Sequence, residues 1–214
     1  MNWPVEALLG GPPRAFRADE PSSIAKTPLP GRVAITRLGL MGDTQADQAN
    51  HGGPDMAVHL YPLDHHTFWH EQLGYHPLLD DPGAFGSNLA VRGLNEADLS
   101  IGDKLRLGTA LLEVSRPRQP CWKIEHRFGT RGMVKAVLRS NRCGWYFRVL
   151  EQGTAEAGDT LELVERAAQG FTVVRCFAAL WGTTSPGDPE ELRAILGLAA
   201  LAEGLRAQIS ARYS

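Results

Sequence analysis

Between residues 5 and about 166, this chain of 214 residues reads as short apolar runs cut off by glycine or proline. That punctuation, supplied by 23 glycines and 14 prolines, is the strongest constraint on its fold. A helix needs apolar residues at a period of 3.6 over a longer window, whereas a strand needs only a few residues between turns. Met56-Ala57-Val58-His59-Leu60-Tyr61 is a compact run stopped by Pro62, and it predicts a strand. Leu105 and Leu107 alternate with Lys104 and Arg106; after Gly108-Thr109 comes Ala110-Leu111-Leu112-Glu113-Val114-Ser115, which predicts a hairpin. A later pair, residues 145–150 and 160–164, flanks a loop holding Gly153 and Gly158-Asp159. Helical interruptions are expected near residues 64–74 and 131–140. Many short strands with few helices define a mainly β, α+β class: a closed or nearly closed β-barrel with helical insertions.

The last stretch changes character. Asp188-Pro189-Glu190-Glu191 offers an N-cap, a proline in the first turn and acidic side chains beside it. Leu192, Ile195 and Leu196 follow at helical spacing, then Leu198, Leu201, Leu205 and Ile209 beyond Gly197. With a short helix near residues 173–181, this predicts a barrel over residues 1–168 and a small helical bundle over residues 169–214. The bundle's apolar stripe must be buried against the barrel or against a second subunit, so a homodimer is one expectation.

Composition narrows function mostly by exclusion. Apolar residues at 43% and charged residues at 21% describe an ordinary globule, and a net charge of −2 gives no general attraction to nucleic acid or anionic membrane. Cys121, Cys143 and Cys176 are widely spaced, odd in number and lack a CxxC pair, which argues against a disulfide framework or a structural zinc finger. No leader-like N-terminal segment and no membrane-length apolar run is visible, so the cytoplasm is the expected compartment.

Chemistry concentrates at Ser115-Arg116-Pro117-Arg118-Gln119-Pro120-Cys121-Trp122-Lys123. Two prolines stiffen the approach to the cysteine, and Arg118 and Lys123 bracket it with positive charge that favours thiolate. A lone cysteine is ordinarily a packing residue, but an apolar site needs neither a proline frame nor cations. A thiolate suits soft metals and redox chemistry. Leu38-Gly39-Leu40-Met41-Gly42-Asp43-Thr44-Gln45-Ala46-Asp47 and His51-Gly52-Gly53-Pro54-Asp55 form a second, glycine-rich cluster in which main-chain N–H groups can approach an anion. It matches neither a P-loop nor a dinucleotide fingerprint. Phe85-Gly86-Ser87-Asn88-Leu89 sets an amide at a strand start.

Together with Ser23-Ile24-Ala25-Lys26 and Gly144-Trp145-Tyr146, these motifs occur in one order in which the chain resembles the MOSC-domain proteins, in particular the YiiM-type branch with its C-terminal three-helix extension. The resemblance implies a β-barrel that binds the molybdenum cofactor, with Cys121 as both the catalytic residue and the protein ligand to molybdenum. It implies that Lys26, His51, Asn88, Ser115 and Arg118 help to hold the molybdopterin. It further implies a reductase of N-hydroxylated compounds, notably N-hydroxylaminopurine-type bases, re-reduced by a separate flavoprotein, since no flavin or nicotinamide motif is visible.

Two rival readings stand beside it. In one, Cys121 carries persulfide sulfur and the protein is a sulfur-transfer or cofactor-carrier protein. In the other, histidines concentrate at His59, His65, His66 and His70, of which His66 and His70, four residues apart, serve a zinc hydrolase, although His70-Glu71-Gln72-Leu73-Gly74 lacks the second histidine of HExxH. Cys143 and Cys176 are expected to be packed. Trp122 is a candidate platform for a flat heterocycle, and His51 and Asp43 are candidate proton donors.

Overall fold

The computed structural model describes residues 1–17, 20–46, 52–168, 170–183 and 187–213. Its strands are β1 (Asn2–Gly10), β2 (Arg14–Arg17), β3 (Glu20–Ser22), β4 (Thr27–Pro28), β5 (Val33–Thr36), β6 (Gly39–Leu40), β7 (Val58–Pro62), β8 (Leu89–Val91), β9 (Lys104–Leu107), β10 (Ala110–Pro117), β11 (Trp145–Glu151), β12 (Gly153–Ala155) and β13 (Thr160–Glu165). The helices among the described residues are α1 (His65–Leu73), α2 (Trp122–Phe128), α3 (Met133–Ser140), α4 (Val173–Trp181), α5 (Pro189–Leu196) and α6 (Glu203–Tyr213).

Seven strands close on themselves in the order β13-β9-β10-β11-β7-β8-β1, with β13 returning to pair with β1 and β4 extending the β1 edge. The barrel is mixed: β7 and β8 run parallel and the other neighbouring pairs run antiparallel. All five residues of β7 are buried, the signature of a strand covered on both faces. In β1, Asn2, Pro4 and Glu6 face out while Trp3, Val5 and Ala7 face in, and the strand is wholly buried from Ala7 onward. The expected hairpin is β9–β10, with Ala110 opposite Leu107. Gly108 sits in its turn at φ +54, where an added Cβ would lie 2.1 Å from the Thr154 carbonyl oxygen. Gly153, expected in a loop, instead opens β12, which pairs with β5.

The C-terminal helices dock on the barrel. Asp188 accepts from the N–H groups of Glu190 (2.9 Å) and Glu191 (3.3 Å), which starts α5 as its sequence predicts. Leu192, Ile195, Leu205 and Ile209 are buried in the same apolar cluster as the barrel residues Leu105, Leu112 and Trp145. Each such side chain contributes about 1.5–3 kcal/mol through burial. The apolar stripe is therefore covered within one chain. Leu198 and Leu201 lie in the connection before α6, not in a helix, and still reach the core. Glu203 N–H, in the first turn of α6, donates to Asp55 Oδ2 (2.8 Å), and Arg148 binds the other oxygen of that carboxylate (2.9 Å from Nε). No helix among the described residues is long and apolar enough to cross a membrane.

Candidate functional site

At the barrel end where β1 and β10 finish and β8 and β11 begin, the connecting segments surround a cleft of about 700 Å³, part of it open to solvent. Cys121, Arg118, Lys123, Lys26, Asn88 and His59 all line it. Strand register explains how a linear sequence arrives there. In β10, Val114 pairs with Phe147 and Arg116 with Tyr146, which leaves Ser115 as the extra residue of a bulge. A bulge bends its strand and re-aims the residues beyond it. Immediately after the strand, Arg118 N–H donates to the Gly144 carbonyl (3.0 Å), and the chain then enters α2 with Cys121 as its N-cap. Cys121 is partly exposed, and the N-terminal end of a helix favours negative charge such as a thiolate.

Arg118 carries the electrostatic signal of the cleft. It is only 6% exposed, its Nη1 has no hydrogen-bond partner, and its guanidinium forms no ion pair among the described residues. A buried cation without a counter-charge is costly, so the arrangement suits an anionic ligand. Lys26 differs. Its ammonium pairs with Asp43, whose Oδ2 also accepts from Asn88 Nδ2 (2.8 Å) while Oδ1 accepts from Gly11 N–H (3.2 Å). Burial lowers the lysine's pKa and the neighbouring Asp43 opposes that shift. Three donors converge on Asp43, the sequence's candidate proton donor, and both of its carboxylate oxygens are taken up as acceptors.

Asn88 is committed to the scaffold. Its Nδ2 donates to Leu9 O (3.1 Å) as well as to Asp43, and its Oδ1 accepts from His59 N–H (3.0 Å). It thus ties β1, β7 and the Asp43 segment together at the cleft wall. Ser115, expected as a cofactor contact, does not line the cleft. Its hydroxyl is fully buried within reach of two main-chain acceptors, Asp55 O (2.6 Å) and Tyr146 O (3.0 Å). The bulge turns that side chain away from the cleft and toward the residues that hold the corner in place. His51 lies outside the described residues.

Trp122 is not a cleft wall either: the Arg17 guanidinium lies 5.1 Å from its ring centroid and Phe16 lies 6.0 Å away. Those contacts clasp the β2–β3 hairpin against α2, with His126 Nε2 2.6 Å from Phe16 O. The other cysteines are packed as expected. Burial pushes the Cys143 thiol well above its ordinary range, and burial together with Glu191 pushes Cys176 up to about 12.

The histidines that sequence grouped together take different partners, although His65, His66 and His70 share α1. His65 pairs with Glu96 (2.7 Å), whose other oxygen accepts from Gly144 N–H (2.8 Å). His66 Nδ1 bonds Leu79 O (2.8 Å), and His70 lies 4.0 Å from Asp80. Among the described residues no group of three His, Cys, Asp or Glu side chains is placed to hold a metal, so the zinc reading finds no ligand set there. Among the described histidines only His59 lines the cleft, opposite Tyr146 in the β7–β11 register with ring centroids 4.9 Å apart. Sequence reasoning missed that role. The available signal was a polar ring inside a run of apolar strand residues.

A barrel with one partly exposed cysteine beside an unpaired guanidinium defines a ligand-binding redox or group-transfer protein more readily than a hydrolase. Comparison with known proteins names the class. The family model for the MOSC domain matches residues 47–162, and the chain belongs to that family. It is 43% identical over 209 residues to YflK of Bacillus subtilis, covering 96% of this chain and 92% of that protein. It is 35% identical over 203 residues to YiiM of Escherichia coli, covering 95% and 89%. A protein of Gibberella moniliformis named as a reductase is 39% identical over 154 residues, covering 72% of this chain but 27% of that protein. The crystal structure of YiiM from Geobacillus stearothermophilus superposes with a TM-score of 0.83 at 29% identity, covering 99% of this chain and all of that one.

The site fits the cofactor that the resemblance implies. Cys121 supplies a soft donor, Arg118 a buried cation without a counter-charge, and His59 Nε2 a buried acceptor without a partner. Each unpaired buried group costs about 1–3 kcal/mol, which a polar anionic ligand would relieve.

Proposed function

We propose that this MOSC-domain protein is an oxidoreductase that removes oxygen from N-hydroxylated bases of the N-hydroxylaminopurine type, using a molybdenum–molybdopterin cofactor held at Cys121. The observation that carries this reading is the guanidinium of Arg118, buried and uncompensated, in the same cleft as the partly exposed Cys121. Bound there, the cofactor would supply two-electron redox chemistry at a metal.

The chain's residues do the rest. Cys121 offers a thiolate ligand on a stiff corner. Arg118 and Lys123 balance anionic charge, whereas Lys26 is already compensated by Asp43 and contributes less. Asn88, Ser115 and Glu96 fix the segments that carry these groups. The overall change is R–NH–OH plus two electrons and two protons giving R–NH₂ and water. The electrons are assigned to a separate flavoprotein.

The test is turnover of N-hydroxyadenine with a chemical reductant, using protein made in a host that synthesises the cofactor. Wild type is expected to produce adenine, and Cys121→Ser to fold normally and produce none. Normal turnover by the variant contradicts the reading. A stable Cys121 persulfide with no adenine formed by wild type would favour sulfur transfer.

A further inference from the structure

The cationic side chains of the cleft offer it charge or protons; His59 offers the opposite. Its main chain is held at both groups by Asn88, whose Oδ1 accepts from His59 N–H (3.0 Å) and whose N–H donates to His59 O (2.7 Å). Its Nδ1 lies 3.2 Å from the Gly86 carbonyl oxygen. A carbonyl can only accept, so the proton sits on Nδ1 and Nε2 carries a lone pair. That Nε2 is buried and has no hydrogen-bond partner. Burial, Arg118 and Lys26 all disfavour a second proton on the ring, which stays neutral.

The surroundings are shaped for a flat ligand. Tyr146 lies alongside the imidazole at an interplanar angle of 33°, and Phe85 and Met56 line the same cleft. Gly144 sets no side chain against Nε2: at φ +68, an added Cβ would stand 3.1 Å from that nitrogen and 2.5 Å from Leu60 O.

We propose that His59 Nε2 and Arg118 together read the edge of a planar heterocycle that presents an N–H beside a carbonyl oxygen. The N–H donates to Nε2 and the guanidinium donates to the oxygen, so both unpartnered groups are satisfied by one lactam edge. An anion with acceptor oxygens alone would satisfy Arg118 and leave His59 without a partner. This proposal rests on the molybdopterin-dependent reductase reading for its two sources of such an edge, the pterin ring of the cofactor and the base of a 6-oxopurine substrate; N-hydroxyadenine, which has no carbonyl, lacks the edge.

The experiment uses full-length, metal-free protein with ¹⁵N-labelled histidine. The Nε2 resonance of His59, assigned by its loss in His59→Phe or His59→Gln, is followed during addition of neopterin, of hypoxanthine and of inorganic phosphate. The free protein is expected to show an unprotonated Nε2 that moves saturably with neopterin or with hypoxanthine. Movement with the first alone assigns the edge to the cofactor ring, and with the second alone to a 6-oxopurine substrate. Whichever probe binds is expected to lose on the order of tenfold in affinity in His59→Phe, the equivalent of one hydrogen bond. A protonated Nε2 in the free protein, no movement with either heterocycle, or movement with phosphate alone overturns the proposal. None of these measurements uses turnover, so they stand apart from success or failure of the reductase assay.

Discussion

Replacing Asn88 by alanine separates two accounts of one residue. If Asn88 were chiefly a ligand contact, as the family resemblance implies, the metal-free protein would tolerate the change and only cofactor retention would fall. The structure makes it a cross-brace. The substitution removes the bonds from Nδ2 to Leu9 O and Asp43 Oδ2 and the bond from His59 N–H to Oδ1. At about 1 kcal/mol for each neutral bond and about 2 kcal/mol for the one to a carboxylate, the loss is about 4 kcal/mol. For a chain of this length 1 kcal/mol moves the melting temperature by about 2–4 °C, so a fall of about 8–16 °C is expected. Differential scanning calorimetry of the metal-free protein at pH 7.5 reads it directly. A fall below about 3 °C would refute the bracing role and return Asn88 to the ligand.

Other changes probe the remaining parts of the site. Arg118→Met removes a buried, uncompensated cation, so metal-free protein should melt at the same or a higher temperature while pterin content after expression falls sharply; a large loss of stability would mean that Arg118 has a structural partner. Ser115→Ala should cost about 1–2 kcal/mol in urea unfolding and leave molybdenum per folded chain unchanged, whereas loss of metal at full stability would restore it as a cofactor contact. Burial, Arg118 and Lys26 hold the His59 pKa well below its ordinary value, so below about pH 6.5 the unfolded chain takes up a proton that the fold refuses. Stability is then full above that pH and falls as pH drops through it, by about 1.4 kcal/mol between pH 7.5 and 5.5 for a histidine that stays neutral throughout. His59→Gln should remove about that much of the pH dependence in urea melts, and an unchanged dependence would show that the ring is protonated in the fold.

The elements easiest to read from sequence were those with local causes. Gly108-Thr109 between alternating runs specifies the β9–β10 hairpin, and Asp188-Pro189 specifies the start of α5. Pro117, Pro120 and the flanking cations mark the Cys121 corner in the same local way. Helix α2 was not legible, because it is short and begins at a cysteine that makes no side-chain capping bond. Site roles that depend on long-range register were hidden as well. Ser115 looked like a donor beside the motif, but its orientation is decided by a bulge against β11. His59 looked like one of several clustered histidines, and only its pairing with Tyr146 across β7 and β11 separates it from His65, His66 and His70. Lys26 and Asn88, singled out by their motifs, both line the cleft, but their shared use of Asp43, 17 and 45 residues away along the chain, is a property of the folded barrel.

The central claim is that the Cys121 sulfur is bound to molybdenum. X-ray absorption at the molybdenum edge, on wild type and Cys121→Ser purified from a cofactor-competent host, tests it most directly. One sulfur neighbour fewer around the metal in the variant is the predicted result. An identical sulfur shell in the two proteins, or a wild-type protein that carries no molybdenum, contradicts the account.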